Sequence, residues 1–111
     1  MARLNYVELP ATDVAASRQF FTEAFGFDFT DFGSTYSAMM TGDVDLGLQA
    51  DPAEATKAPL AVIEVDDLED ALAAVMRAGG KIVRPIFAFP GGRRFQFLDP
   101  NGNELAAMKP D

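Results

Sequence analysis

Leu60-Ala61-Val62-Ile63-Glu64-Val65-Asp66-Asp67, running on through Leu68, Leu72 and Val75 to Gly79-Gly80, decides the fold, because an earlier stretch has the same grammar. Leu4-Asn5-Tyr6-Val7-Glu8-Leu9 alternates like a half-buried strand and stops at Pro10. Thr12-Asp13 then offers an N-cap to a helix from Val14 to Phe25, which Gly26 ends. Val14, Phe21 and Phe25 keep roughly helical spacing. In the later stretch Asp66 or Asp67 caps the helix, and Asp66 with Glu69 has capping-box spacing. Leu68, Leu72, Val75 and Met76 are its expected buried stripe, and Gly79-Gly80 its stop. Val7/Ala61, Leu9/Ile63, Asp13/Asp67 and Gly26/Gly80 are each 54 positions apart. One offset across four landmarks points to an internal duplication.

Three strand candidates follow each helix. They are residues 27–31, 35–40 and 43–49 in the first half, separated by Phe32-Gly33-Ser34 and Thr41-Gly42. In the second half they are residues 81–86, 93–98 and 104–108, separated by Pro90-Gly91-Gly92 and Asp99-Pro100-Asn101-Gly102. These separators are turn chemistry. The expected fold is α+β: two tandem βαβββ modules, at about 3–50 and 60–109, joined by a polar linker over 51–59 into a single domain.

Composition narrows the chemistry. The 111 residues suit one compact domain, and 49% hydrophobic residues are enough to build a core. No Cys means no disulfide, thiol nucleophile or thiolate metal site. No His removes the commonest acid–base group near neutral pH and the commonest transition-metal ligand. A formal charge of −8 with scattered basic residues argues against nucleic acid and anionic membranes as partners. No apolar run approaches a membrane span, and Met1-Ala2-Arg3-Leu4 enters the first strand without a signal-peptide pattern, so a cytoplasmic location is expected. The acidic concentration of Glu54, Glu64, Asp66, Asp67, Glu69 and Asp70 reads as helix capping and solvated surface before it reads as a metal site.

The paired modules resemble the vicinal-oxygen-chelate (glyoxalase/bleomycin-resistance/dioxygenase) superfamily over nearly the whole chain. The residues that carry the likeness are Tyr6-Val7-Glu8-Leu9-Pro10-Ala11-Thr12-Asp13, Phe20-Phe21 with Phe25-Gly26-Phe27, and above all Phe97-Leu98-Asp99-Pro100-Asn101-Gly102-Asn103-Glu104-Leu105. The resemblance implies a curved mixed sheet with helices outside and a concave pocket inside. Metal enzymes of the family place ligands on the first and last strand of each module, and those positions correspond here to Tyr6, Gly47, Leu60 and Ala106. Gly47, Leu60 and Ala106 have no donor side chain, and a neutral Tyr binds hard cations weakly. Moving the register by one brings in Asn5 or Val7, Pro59 or Ala61, and Leu105 or Ala107, which does not rebuild a site. No metal or other cofactor is therefore expected.

Alternation puts Val7, Leu9, Val44, Leu46, Leu48, Phe95 and Phe97 toward the helices. It leaves Tyr6, Glu8, Asp45, Gln49, Leu60, Val62, Arg94, Gln96 and Met108 to line the pocket, with Glu104 and Ala106 on the same side. Glu8 and Arg94 are the leading candidates for holding zwitterionic or amide groups of a small ligand, with Tyr6 as a stacking surface. Their simpler role is to pair with each other or to sit at a solvated dimer seam. The Phe87-Ala88-Phe89-Pro90 segment is expected as a loop at the pocket mouth, at a subunit contact, or in an ordinary buried turn. The leading expectation is a metal-independent small-molecule binder, of sequestering or resistance type, acting as a homodimer. The alternatives are a glyoxalase-like lyase or isomerase with Glu8 as general base, and a structural or regulatory partner without ligand.

Overall fold

A computed structural model describes residues 2–41 and 43–111. The expected Thr41-Gly42 turn falls partly outside the described residues. The order of elements is β1 (Arg3–Pro10), α1 (Val14–Phe25), β2 (Thr30–Asp31), β3 (Tyr36–Met39), β4 (Asp45–Gln49), β5 (Leu60–Glu64), α2 (Leu68–Arg77), β6 (Lys81–Phe89), β7 (Gly92–Leu98) and β8 (Glu104–Pro110). This is βαβββ followed by βαβββ, an α+β fold with eight strands and two helices among the described residues. The chain gathers into two compact units, Tyr6–Leu60 and, joined by residues 2–5, Ala61–Asp111.

In the first unit the strand order is β2-β3-β4-β1. β1 runs parallel to β4, with Tyr6 opposite Asp45 and Glu8 opposite Gly47. β3 runs antiparallel to β4, with Ala38 opposite Gly47. α1 packs on β3 and β4. Its N-cap is Asp13, whose carboxylate accepts the Ala16 N–H at 3.0 Å. Its end is set by Gly26 at φ 73°, a left-handed turn that glycine adopts without steric cost. The helix is less buried than its spacing predicts. Phe25 is 64% exposed and stacks on Phe21 and Phe27, so the aromatic residues cluster with one another at the surface. Val44, expected under the helix, precedes the strand and is 46% exposed.

In the second unit the order is β5-β8-β7-β6. β5 is parallel to β8, and β7 is antiparallel to both β8 and β6. Leu68, Phe95 and Ala107 form the core here, with Leu72, Val75 and Phe97 packed around it. Asp67, not Asp66, is the N-cap, and its carboxylate accepts the Asp70 N–H at 2.9 Å. Met76 is exposed instead of buried, because Ala71 completes the apolar stripe. On an ideal helix Met76 lies about 80° round from Leu68, at the rim of that stripe. Phe87, Ala88 and Phe89 belong to β6 rather than to a loop. β6 ends the strand order of its unit, where Pro85 is tolerated, and its register shifts on either side of Arg84.

Candidate functional site: a tyrosine pair over Gly47

The first unit brings together three polar side chains that the sheet register aligns. Tyr6 and Glu8 alternate onto one face of β1, and Gly47 sits opposite Glu8 on β4. Ala38 is opposite Gly47 on β3, so Tyr36, two residues before it, points to that same face. The hydroxyls of Tyr6 and Tyr36 hydrogen-bond to each other, and the Tyr36 hydroxyl donates to Glu8 Oε2 at 3.2 Å. Glu8 is only 4% exposed. Burial, followed by the negative charge that Tyr6 and Glu8 can carry, holds the Tyr36 phenol protonated well above the usual range for tyrosine.

Gly47 makes this arrangement sterically feasible. A Cβ there would collide with both tyrosine hydroxyls and with a ring carbon of Tyr6. The phenol oxygens thus fill the space into which a side chain at position 47, one expected from the resemblance to correspond to a metal ligand, would project. Leu60 and Ala106, two further positions expected from the resemblance to correspond to ligands, are fully buried and carry no donor atom. Among the described residues, no group of three or more Asp or Glu side chains converges as a metal cluster would. Tyr6, Tyr36 and Glu8 offer two phenols and one carboxylate, a donor set that holds hard divalent ions weakly.

Two other expected lining residues have local partners. The Asp45 carboxylate accepts the Thr41 N–H at 2.7 Å and its hydroxyl at 3.0 Å. Gln49 Oε1 accepts the Asp51 N–H at 3.0 Å. An open hollow of about 570 Å³ lies beside the end of β1, lined by Pro10, Ala11, Thr12, Ala50, Pro52 and Ala55. None of these residues is ionisable or belongs to the tyrosine cluster.

The second unit carries the rest of the expected set. Arg94 is opposite Met108 and Gln96 opposite Ala106, while Val62 is opposite Ala106 on the other side, so all five share one face. Gln96 is 4% exposed, and its Nε2 donates to Glu104 Oε2 at 2.7 Å. The Arg94 guanidinium lies 5.2 Å from the Phe87 ring centre and 5.6 Å from that of Phe89. The Arg84 guanidinium lies over Phe87 at 3.6 Å.

Tyr36 and Asn5 were absent from the expected set. Alternation groups Asn5 with Val7 and Leu9, yet its amide donates to Glu64 Oε1 at 3.0 Å and reaches Met108 Sδ at 3.6 Å. The pairing of Ala38 with Gly47 is what brings in Tyr36, and no single strand's pattern contains that information.

The chain is similar to several known proteins. A putative glyoxylase, CFP32, from Mycobacterium bovis is 29% identical over 109 residues, covering 88% of this chain. The chain spans only 42% of that relative's length. A glyoxylase-like domain-containing protein from Didymella fabae is 32% identical over 116 residues, covering 94% of this chain and 91% of its own. The crystal structure of a glyoxalase/bleomycin resistance protein/dioxygenase superfamily member from Vibrio splendidus 12B01 superposes with a TM-score of 0.71 at 16% identity, covering 98% of this chain and 99% of that one. The family model for the same superfamily matches residues 3–107, so the chain belongs to the Glyoxalase/Bleomycin resistance protein/Dioxygenase superfamily.

Proposed function

We propose that this chain is a small-molecule-binding member of its superfamily in which a phenol–carboxylate cluster takes over recognition from a divalent metal. The observation that carries the reading is the Tyr6–Tyr36–Glu8 hydrogen-bond chain lying over Gly47. Hydroxyls and a carboxylate held in a buried setting recognise polar organic groups by direct hydrogen bonds, which are strong where water is excluded. Tyr6 also offers an aromatic face to a flat ligand. In the second unit, Arg94, Gln96 and Met108 share one face and are proposed as recognition groups of that unit alone. A second copy of the chain is the proposed protein partner, which the exposed Phe20, Phe25 and Phe32 rings support. Sedimentation velocity at micromolar concentration should then give a dimer. The proposed location is cytoplasmic.

The alternative is a lyase or isomerase of glyoxalase type, to which the names of the two relatives point. Glu8 favours it, being a buried carboxylate in contact with a phenol that could return a proton. A thermal-shift screen of metabolite-like compounds on wild type, Glu8→Gln and Tyr36→Phe separates the two readings. Binding predicts that hits for the wild type weaken in both variants. A base role predicts that Glu8→Gln still binds those hits but turns none of them over. Hits that stabilise all three proteins equally would remove the cluster from the site.

A further inference from the structure

We infer that the second unit holds its own recognition site, built from Asn5 and Gln96, for the N–H donors of a primary amide or an organic ammonium. The site goes beyond the tyrosine cluster and uses none of its residues. Each amide side chain is oriented by a carboxylate. Gln96 Nε2 donates to Glu104 Oε2 at 2.7 Å, and Asn5 Nδ2 donates to Glu64 Oε1 at 3.0 Å. Turning either amide over would bring its oxygen against a carboxylate oxygen, so the nitrogen end is fixed in both. The other end of each is thereby fixed as well. Gln96 Oε1 and Asn5 Oδ1 are buried acceptors with no hydrogen-bond partner.

A buried acceptor left without a donor forfeits its hydration with nothing in return. Donation from each amide to a carboxylate also polarises its carbonyl and makes it a better acceptor. Two such oxygens bordering one sheet face form a site for groups that donate hydrogen bonds. Glu64 and Met108 are opposite one another, and Gln96 is opposite Ala106 two residues earlier on the same strand. Met108 Sδ is 3.6 Å from Asn5 Nδ2, so the thioether lies against the amide. Its unbranched side chain can turn aside at little cost and exposes an apolar floor of Val62 and Ala106 for a short hydrocarbon arm.

The test is titration of the ¹⁵N-labelled full chain with hexanamide, hexylammonium and 2-heptanone, following the side-chain amide signals of Gln96 and Asn5 by NMR. Hexanamide and hexylammonium carry the donors on an apolar arm, whereas 2-heptanone keeps the shape of hexanamide without any N–H. The expected result is saturable shifts at both amides with one or both donor probes and none with 2-heptanone. Binding should weaken about tenfold in Gln96→Met and again in Asn5→Leu, the second variant serving if the first fails to fold. Tyr36→Phe, in the other unit, should leave probe binding unchanged and so separates this site from the tyrosine cluster. Absence of saturation by both donor probes, or equal shifts with 2-heptanone, would overturn the inference and leave the two oxygens to ordered water.

Discussion

Replacing Gly47 by alanine drives a methyl group into the space held by the Tyr6 and Tyr36 hydroxyls. Gly47→Ala is therefore expected to cost about 1–3 kcal/mol, as overpacking of a tight interior does. Urea denaturation checks this, and adding Tyr6→Phe, which removes one of the colliding oxygens, should recover part of the loss. Tyr36→Phe deletes the hydroxyl that donates to Glu8 and should cost about 0.5–1.5 kcal/mol for the lost hydrogen bond. Its pH dependence follows from the direction of the Tyr36 shift. An unfolded tyrosine releases its proton from about pH 10 upward, whereas the buried one keeps it. The unfolded state then binds fewer protons, so this contribution to stability is full below about pH 10 and declines as pH rises further. The wild type should lose stability between pH 9 and 11 more steeply than Tyr36→Phe, read from denaturation midpoints at each pH. Tyr6, Glu8 and Gly47 were legible in the sequence because alternation fixes the side of a strand on which each lies. Tyr36 was not, because the register between β3 and β4 arises from the folded sheet and leaves no mark in either strand alone.

The helices and edge strands show where local chemistry suffices and where it does not. Asp66 and Asp67 both precede α2, and the sequence leaves open which of them caps it, since Asp66 has capping-box spacing to Glu69 while Asp67 matches Asp13 in the 54-position offset. The backbone geometry places Asp67 at the cap, accepting the Asp70 N–H. Asp67→Ala should accordingly destabilise the protein by about 1 kcal/mol, while Asp66→Ala should change it by less than about half of that. Thermal melts of the two variants side by side make the check. Strand β6 illustrates the opposite case. The strand was expected to stop at Ile86, with Phe87-Ala88-Phe89-Pro90 as a loop before the Pro90-Gly91-Gly92 turn. A strand with only one hydrogen-bonded neighbour tolerates the missing N–H of Pro85 and continues to Phe89. Edge position is a property of the assembled sheet, and the sequence around Phe87 cannot disclose it. The same holds for α1, whose aromatic residues have helical spacing but pack on one another instead of entering a core.

At the scale of the molecule, the duplication was readable because it left a constant offset of 54 positions in strands, caps and stops alike. Turn chemistry then placed all three later strands of each module, with only their ends differing from expectation. Gly47, Leu60 and Ala106 lack donor side chains, and nothing in the sequence says what would serve recognition in their place. The replacement proposed here is a set of hydrogen-bonding side chains aimed at an organic ligand, so the protein's load should be organic. Native mass spectrometry of the protein purified without chelator and dialysed tests this directly, with Tyr36→Phe prepared alongside. The account predicts an adduct with the mass of a small organic molecule on the wild type, diminished in Tyr36→Phe. A stoichiometric adduct with the mass of a divalent metal ion, retained through dialysis and present equally in Tyr36→Phe, would contradict it.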